Sequence, residues 1–448
     1  MSKKWPGGII TPTPVAPTTS SAPGIWTLSQ QAYWQKQGLW PSQQYYWGRS
    51  IYISGQNASA DIGDVCADSS GNTYCQLPFM NSLLTATGNT GGYTFLNYYG
   101  NAVYGSTPRA VTFSGGSIYA VRNSGSSGYP IISKYSTSGT LSYSNYSSSD
   151  LGSVYCMAPS SDGNFFIGGN QSTSAVVYKA NASDGTCISG SQINTASGGR
   201  LFQIQQDSSG NVYVGGYVDT GSGSQPFVAK YDSSFAVQWQ RTLPTGVNDE
   251  SGGVAVDSSG NVYFAAGVSI GGAGYVIRLI KFDSSGTVQW KRDITAPSGN
   301  AVTKFLAIGA DGFLYLVGRN FSNQSITFLA KYNTSGVIQW QRTLTWGLVR
   351  GACLDSGGNI VFNAVNTSTS PASYAVFKVS PNGQPAGTYS VNGVNAVIAV
   401  STYTDSTSTV TVTNSSLTIG SRTYSTSGTP PDMATLSAPS VTTALTDF

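Results

Sequence analysis

Acid–base chemistry in this chain would depend on its carboxylates. The 448 residues include 19 acidic residues, of which Glu250 is the single glutamate, and no histidine. The lack of histidine excludes Ser-His-Asp catalysis and His-ligated metal sites. Glycoside hydrolysis stays open, because it needs only a pair of Asp or Glu side chains. Most aspartates fall in turn-like segments, and the remaining candidates are Asp61, Asp64, Asp150, Asp219, Asp249, Glu250 and Asp293. The cluster NDES (248–251) reads as a solvated loop.

Cysteine spacing and net charge argue against a metal, a cofactor or a nucleic-acid partner. The five cysteines have no metal-ligand spacing, only 9% of residues are charged, and the net charge is +3. Cys66 and Cys75 flank one hairpin, so they are either a disulfide or two buried free thiols. No segment is long and apolar enough for a membrane-spanning helix, and the first 23 residues lack the apolar core of a secretory signal.

Two other residue types recur at fixed places. Each tryptophan of one set follows a glutamine and precedes an arginine by two residues: Trp239, Trp290 and Trp340. Six lysines share a second position: Lys134, Lys179, Lys230, Lys281, Lys331 and Lys378. They could form a sugar platform and a polyanion-binding ring. Their fixed repetition favours structural roles instead, with tryptophans sealing neighbouring units and lysines binding turn carbonyls or carboxylates.

An internal repeat explains these periodicities. Copies of the pattern Asp-Ser-Ser-Gly-Asn-Val-Tyr place a turn residue at positions 68, 114, 162, 207, 257, 311 and 355, with spacings of 46, 48, 45, 50, 54 and 44. These are the lengths of β-propeller blades. The aspartate can bind the turn backbone and the glycine can adopt positive φ. The predicted structural turn residues are Asp68, Asp162, Asp207, Asp257, Asp311, Asp355, Gly210 and Gly260.

A second hairpin follows about 20 residues after each first one, so each unit holds four strands. The sequence therefore predicts an all-β, seven-bladed propeller of four-stranded antiparallel blades, with eight blades as the alternative. The predicted segments are a Pro/Thr/Ser-rich tether (1–23), a short helical docking motif (24–41), a connector (42–61), the propeller (62–395), an extra hairpin or partial eighth blade (396–428) and an extended C-terminal arm (429–448). A closure strand is expected over 50–56. The residues around Asp405 are the candidate for the eighth blade, and the alternative for 396–428 is a strand addition to the propeller.

The run Asp-Ser-Ser-Gly-Asn-Val-Tyr-Val-Gly-Gly, followed by Phe-Val-Ala-Lys-Tyr-Asp-Ser-Ser and Gln-Trp over 207–239, resembles the seven-bladed β-propeller repeat family. Repeats of this kind occur in bacterial surface and secreted proteins. The resemblance covers about three quarters of the chain and concerns fold, since propellers carry many unrelated functions.

One irregular segment is the best candidate for recognition. Residues 89–105 are rich in Tyr, Gly and Asn, as binding loops often are. The alternative is a degenerate blade near the closure point. The predicted recognition-loop residues are Tyr93, Phe95, Tyr98, Tyr99 and Tyr104.

The segment GIWTLSQQAYWQKQGLWP (24–41) differs from the β-rich remainder. Thr27 is a suitable N-cap, Gly38 can end the helix, and Pro41 lies beyond it. A helix of about ten residues does not persist alone, so its apolar side chains must pack against something. The predicted docking residues are Trp26, Tyr33, Trp34, Leu39 and Trp40.

This segment resembles a short Trp-containing motif near the ends of tailed-bacteriophage virion proteins, with matching residues Gly24, Trp26, Thr27, Leu28, Gly38, Trp40 and Pro41. The resemblance implies a docking role. We therefore expect a non-enzymatic phage virion protein, displayed on a tail fibre, tail tip or capsid surface and released by lysis. Its partners would be other virion proteins and a host surface polysaccharide, with no nucleic acid, membrane, metal or cofactor. The alternatives are a polysaccharide-degrading enzyme on a propeller scaffold and a bacterial surface adhesin.

Overall fold

Short runs of β-branched and aromatic residues between Gly- and Asp-containing turns produce a chain of strands. In the computed structural model, the residues described are 47–53, 63–77, 83–87, 93–98, 107–123, 129–147, 151–221, 223–244, 252–271, 274–297, 299–320, 322–323, 325–368, 373–383, 386–391, 394–409, 411–415, 417–424, 426–427 and 441–447. This part of the chain contains strands and turns and no helix. Nor does it contain a helix long and apolar enough to cross a membrane.

The strands of the first half are β1 (Trp47–Ile53), β2 (Val65–Ala67), β3 (Thr73–Leu77), β4 (Leu83–Thr87), β5 (Tyr93–Tyr98), β6 (Thr107–Ser114), β7 (Ser117–Asn123), β8 (Pro130–Tyr135), β9 (Leu141–Ser147), β10 (Val154–Pro159), β11 (Phe165–Gln171), β12 (Ser174–Ala180), β13 (Cys187–Ile193), β14 (Gly199–Gln206), β15 (Val212–Asp219), β16 (Ser224–Tyr231) and β17 (Val237–Thr242).

Those of the second half are β18 (Gly253–Val256), β19 (Val262–Ser269), β20 (Tyr275–Phe282), β21 (Val288–Thr295), β22 (Ala301–Ile308), β23 (Leu314–Asn320), β24 (Ile326–Tyr332), β25 (Ile338–Thr345), β26 (Leu348–Leu354), β27 (Ile360–Asn366), β28 (Ser373–Val379), β29 (Gly387–Val391), β30 (Val394–Val400), β31 (Thr404–Thr407), β32 (Thr413–Asn414), β33 (Ile419–Ser421), β34 (Thr426–Ser427) and β35 (Val441–Asp447).

These strands form an all-β propeller. In chain order its antiparallel sheets are sheet 1 (β2–β5), sheet 2 (β6–β9), sheet 3 (β10–β13), sheet 4 (β14–β17), sheet 5 (β18–β21), sheet 6 (β22–β25) and sheet 7 (β26–β28 with β1). The first strand of each sheet contacts the first strand of the next, and β2 contacts both β6 and β26. Sheets 2 to 7 are six blades with five or six strands each, whereas the sequence predicts seven or eight blades of four strands. Sheet 1 has four strands.

The first hairpin of a blade is held by its turn aspartate. Asp207 Oδ1 accepts hydrogen bonds from the backbone N–H of Ser209 and Asn211, both at 2.9 Å, and its Oδ2 accepts one from the Tyr213 hydroxyl at 2.9 Å. Gly210 has a φ of 85°, which only glycine adopts without strain. The equivalent contacts recur at Asp257, where Gly260 has a φ of 78°.

The recurring lysines have structural contacts. Three form ion pairs with turn aspartates, at 2.7 Å for Lys179–Asp162, 2.9 Å for Lys331–Asp311 and 2.7 Å for Lys378–Asp355. Lys134 and Lys281 donate to backbone carbonyls of the next blade, at 2.9 Å to Ala182 and 3.2 Å to Thr334. The Lys230 ammonium lies 5.5 Å from the centre of the Tyr213 ring. The structural interpretation of this lysine position therefore holds.

The recurring tryptophans close the gaps between blades. The indole N–H of Trp239 donates to the Ser284 carbonyl at 3.1 Å, that of Trp290 to Thr334 at 3.1 Å, and that of Trp340 to Pro381 at 3.0 Å. Ser284 and Thr334 lie in the second hairpin of the following blade, and Pro381 lies in the turn that follows β28 of sheet 7. A Cβ on the turn glycine Gly286 would lie 2.7 Å from Trp239 Cδ2, so a side chain there would displace the indole.

Both ends of the described chain meet in sheet 7. β1 pairs antiparallel with β28, and β35 pairs with the other side of β1. The N-terminal strand therefore lies at Trp47–Ile53, close to the expected closure strand over 50–56. Residues Val441–Asp447 are a strand, although the sequence analysis assigned them to an extended arm. The β-branched residues of VTTALTD and the free edge of β1 account for this difference.

Residues 394–427, which we call the C-terminal belt, run around the outer edge of the ring against the order of the chain. β30 pairs with β25, β31 with β21, β32 with β17, β33 with β13 and β34 with β9. The region predicted as an extra hairpin or partial eighth blade is therefore a series of strand additions to sheets 6, 5, 4, 3 and 2. Asp405 is a strand residue that pairs with Arg292 at 3.0 and 2.8 Å, and not a turn residue.

The belt also contributes to the core between blades. Ile398, Tyr403, Val412, Leu417 and Tyr424 each pack into a different hydrophobic cluster between adjacent sheets. Because each blade edge from sheet 2 to sheet 6 receives a belt strand of two to seven residues, part of the unpaired backbone groups of those edges is satisfied within the chain.

Candidate functional site

The inner strands share an irregularity that places side chains at the centre of the ring. In five of them the pairing with the second strand skips one residue, which is a β-bulge. The five skipped residues all line one central cavity: Arg109, Tyr155, Phe202, Lys304 and Arg350. β-bulges redirect side chains in this way and are common beside functional sites. We call these five residues the bulge ring.

The cavity has a volume of about 210 Å³ and is lined by residues of all seven inner-strand segments. Gly63 and Gly252 also line the cavity and precede the first strands of sheets 1 and 5. Since pockets for drug-sized ligands usually exceed about 300 Å³, this cavity suits a small group or one end of a larger ligand.

One side of the bulge ring is cationic. Around the ring, Lys304 and Arg350 belong to sheets 6 and 7, and Arg109 belongs to sheet 2 on the far side of Gly63. The Nε atoms of Arg109 and Arg350 are buried and have no hydrogen-bond partner among the described residues. Buried N–H groups without a partner are exceptions in folded proteins, so both are available to an acceptor brought by a ligand.

The other side of the bulge ring is aromatic. The Tyr155 and Phe202 rings meet edge to face, with centroids 5.7 Å apart. The Arg109 guanidinium lies 5.4 Å from the centre of the Tyr155 ring, and the Arg200 guanidinium lies 5.1 Å from it. Cation–π contacts of this kind hold guanidinium groups in place without neutralising their charge.

A set of side-chain amides ties the inner strands together around the cavity. Gln76 Oε1 accepts from the backbone N–H of Arg109 at 3.0 Å, which fixes the backbone of that bulge residue. Gln203 Oε1 accepts from the N–H of Val254 at 3.3 Å and of Leu306 at 3.2 Å, so it joins sheets 4, 5 and 6. These bonds make the cavity wall a rigid, preformed surface.

The Asn363 side-chain amide also ties inner strands together, at the place where sheets 7 and 1 close the ring. Its Oδ1 accepts from the N–H of Gly351 at 2.8 Å, and its Nδ2 donates to the Gly63 carbonyl at 2.8 Å. A Cβ on Gly351 would lie 2.1 Å from Asp64 Oδ1, so only glycine fits where sheets 7 and 1 meet.

Asp64 is the single carboxylate among the described residues that line the cavity. Burial raises its pKa to about 7, although hydrogen bonds from the backbone N–H groups of Val65 and Ala352 oppose the shift. Near pH 7 this carboxyl group is therefore only partly ionised. It offsets little of the positive charge of the bulge ring.

The cysteines in the cavity wall are neutral. Cys66, Cys156 and Cys353 are free thiols that line the cavity, and burial raises the pKa of each well above its ordinary value. Thiols of this kind behave as small apolar groups. Cys75 is also free, so Cys66 and Cys75 are two thiols and not a disulfide.

The other acidic candidates do not join Asp64. Asp293 forms a bidentate pair with Arg278 at 2.7 and 2.7 Å, and Asp219 accepts from the Gly221 N–H at 2.7 Å. The remaining candidates lie outside the described residues: Asp61, Asp150, Asp249 and Glu250.

The aromatic residues predicted to bind partners are placed only in part. Tyr93, Phe95 and Tyr98 lie in β5, the fourth strand of sheet 1, so this part of the predicted recognition loop is a strand. The aromatic and β-branched run YTF favours that outcome. Tyr99 and Tyr104 lie outside the described residues. So do the whole predicted helix and its docking residues: Trp26, Tyr33, Trp34, Leu39 and Trp40.

The bulge ring was missed by the sequence reasoning, although a signal for it exists. Tyr155, Phe202, Lys304 and Arg350 each precede the first turn residue of their hairpin by five positions, where the turns begin at residues 160, 207, 309 and 355. The repeat was aligned on its aspartates, and Asp162 and Asp311 lie two residues into their turns. Correcting that offset brings the bulge residues into one column.

Comparisons with known proteins concern the fold alone. No protein-family model matches the sequence, and no curated protein sequence matches it. Among solved structures, the chain is similar to the WD40 β-propeller domain of Doa1, with 13% identity, a TM-score of 0.48 and coverage of 74% of this chain and 98% of that one. The Dos1 propeller gives 13% identity, a TM-score of 0.46 and coverage of 84% and 93%. Polysaccharide lyase Uly1 gives 13% identity, a TM-score of 0.49 and coverage of 73% and 93%. The chain is a β-propeller, and likeness at this level carries no ligand or reaction with it.

Proposed function

We propose that this protein is a non-enzymatic component of a tailed-bacteriophage particle, which uses a seven-bladed propeller to bind a host surface glycan. The observation that carries the binding role is the preformed cavity at the ring centre, where cationic and aromatic side chains converge from five inner strands. Cavities with a few convergent polar groups are the usual form of ligand sites.

The phage assignment is supported by the segment 24–41, whose Gly24, Trp26, Gly38, Trp40 and Pro41 match the virion-protein motif. In this proposal the segment holds the propeller on a tail fibre, tail tip or capsid surface through its aromatic side chains. The contacted proteins are other virion proteins, and the particle is released by lysis.

Deletion of residues 1–41 tests the attachment. In particles assembled from the edited phage genome, we expect the truncated protein to be missing, as measured by mass spectrometry of purified virions. A deletion of residues 6–23 is the matched control, because it shortens the tether and keeps the Trp-containing segment. Incorporation of the 1–41 deletion at the level of the full chain would contradict the proposal.

A polysaccharide-degrading enzyme is the second candidate, favoured by one observation. Asp64 lines the cavity and its pKa of about 7 suits a general acid. Hydrolysis by two carboxyl groups would need a second one, and Asp64 is alone among the described lining residues. Release of reducing ends from host polysaccharide by the full chain, abolished in Asp64→Asn, would favour the enzyme.

A further inference from the structure

We propose that the bulge ring binds an acidic sugar residue of the host glycan through Arg109 and Arg350, which hold its carboxylate. This inference rests on the proposed glycan-binding function and names the chemical class of the ligand. Its basis is the position of two arginines at the cavity and the burial of their Nε atoms without a hydrogen-bond acceptor among the described residues.

The cations converge on the same side of the cavity. Arg350 and Arg109 come from the sheets on either side of sheet 1. Lys304 lies on the next sheet beyond Arg350. Three positive charges from the bulge positions of three sheets therefore line a cavity with a single carboxylate among its described residues. A site of this charge favours an anion and disfavours a cation.

In each of the two half-buried arginines, one N–H group lacks the acceptor that a buried donor normally has. Arg109 Nε and Arg350 Nε are buried without an acceptor in the described part of the chain. Arg109 contributes only its backbone to the bond with Gln76. A bound carboxylate would supply the missing acceptors, since it offers two oxygens to the planar donors of arginine.

The rest of the cavity matches a sugar ring better than a bare ion. Its volume of about 210 Å³ is much larger than one water molecule's share of liquid volume, about 30 Å³, so a bare anion would leave most of it to water. Phe202, Met157 and the three thiols provide apolar surface, and Thr112 and Gln205 provide hydroxyl and amide groups for a polyhydroxylated ligand. Carbohydrate sites combine these two kinds of surface.

Glucuronic acid and glucose are the probes that test this assignment, because they differ only in the carboxylate. We expect the full-length protein to bind glucuronic acid at least roughly ten-fold more tightly than glucose in isothermal titration calorimetry, which is the usual cost of losing one charge-assisted contact. We expect Arg350→Gln and Arg109→Gln each to weaken glucuronic acid binding by a similar factor. Arg350→Lys should restore part of it.

Lys230→Gln is the matched control, because it removes a cation that lies over Tyr213 and does not line the cavity. It should leave binding within about two-fold. Thermal unfolding of each variant shows that the fold is kept. Equal binding of glucose and glucuronic acid, or an equal loss in Lys230→Gln, would overturn the proposal. Tight binding of inorganic phosphate without glucuronic acid would overturn the sugar assignment.

The two proposals can fail separately. Binding of a neutral host glycan, unaffected by Arg109→Gln, would refute the acidic ligand and leave glycan binding in place. Normal particle assembly without residues 1–41 would refute the attachment and leave the acidic ligand in place.

Discussion

A residue at a β-bulge does not follow the alternation of side chains between the two faces of the sheet, and the paired residues on each side of it keep their register. In sheet 7 the pairs at Val349 and Gly351 are kept around Arg350, and in sheet 2 those at Pro108 and Ala110 are kept around Arg109. Substitutions at these bulge positions therefore change the side chains that line the cavity without moving the strands. The ligand preference of such a site can change through single substitutions.

Asp64 allows a test of the buried carboxyl group through pH. Its pKa in the folded protein, about 7, lies above the value of 3.8 that it has when exposed. Ionisation therefore disfavours the folded state, and this cost grows as pH rises from about 4 and is complete above about 7. We expect Asp64→Asn to raise the melting temperature at pH 8 and to change it little at pH 4.

Asp207→Asn is the control, because its shift has the opposite sign. Burial alone would raise the pKa of Asp207, but hydrogen bonds from Asn211 and Tyr213 outweigh it and hold the pKa below its usual value. Its stabilisation is present at neutral pH and is lost as pH falls. Asp207→Asn should lower the melting temperature at pH 8 and approach the wild type in acid. Parallel pH profiles for the two variants would contradict this account of Asp64.

Among the elements, the fourth strands of sheets 4 and 6, β17 and β25, make two different contacts through neighbouring residues. In sheet 4, Trp239 contacts the next blade, and Gln240 Nε2 donates to the Leu417 carbonyl of the C-terminal belt at 2.9 Å. In sheet 6, Gln341 Nε2 donates to the Tyr403 carbonyl at 3.0 Å. The strand therefore joins its blade to the neighbouring blade and to the belt.

Truncation of Trp239 measures what one contact between blades contributes to the free energy of unfolding. Trp239 is 7% exposed, so Trp239→Ala should lower the free energy of unfolding by about 3 kcal/mol. Trp239→Phe keeps most of the packing and loses the bond to Ser284, at a cost of about 1 kcal/mol. Urea unfolding followed by fluorescence gives both values.

Gln238→Ala is the control for this series, because that exposed side chain bonds only within its own turn, to Asp232 at 3.1 Å and to the Ala236 carbonyl at 3.4 Å. It should change the free energy of unfolding by no more than about 0.5 kcal/mol. A similar effect for Trp239→Ala would show that the indole does not seal the blades.

The sequence predicts the elements of the blade well because each depends on local chemistry. The Asp207 turn, the positive φ of Gly210 and the tryptophan of β17, β21 and β25 are features of the repeat, so the sequence shows them. The belt is different, since β31 to β34 contain two to four residues each and depend on edges offered by distant blades. The bulge ring is hidden for a related reason: Arg109, Tyr155 and Phe202 share a backbone position and no chemical type.

At the scale of the whole molecule, the belt adds contacts to those that each blade makes with its neighbours in the ring. Repeat proteins in which each unit contacts only the next unfold in parts. Here Arg292 on sheet 5 pairs with Asp405, and Tyr424 donates to the Gly185 carbonyl at 2.8 Å on sheet 3. Contacts across more than 100 residues couple the blades to one C-terminal segment.

Removal of the belt tests this coupling. A chain that ends at residue 393 leaves the outer edges of β9, β13, β17, β21 and β25 unpaired, so we expect a melting temperature lower by more than about 5 °C and aggregation. Differential scanning calorimetry and light scattering measure the two effects. A chain that ends at residue 427 keeps the belt and is the control. If both truncations behave alike, the belt has no separate role in stability.

The reversed course of the belt sets a time order for folding during synthesis. β9 ends at residue 147, and its outer partner β34 begins at residue 426. At 5–20 residues per second, the ribosome needs on the order of tens of seconds to make the intervening chain. During that interval the outer edge of sheet 2 is unpaired. This interval is the longest among the five sheets that receive a belt strand. The earliest of these blades to be made is the last to be finished, so the complete ring forms only after the chain has nearly left the ribosome.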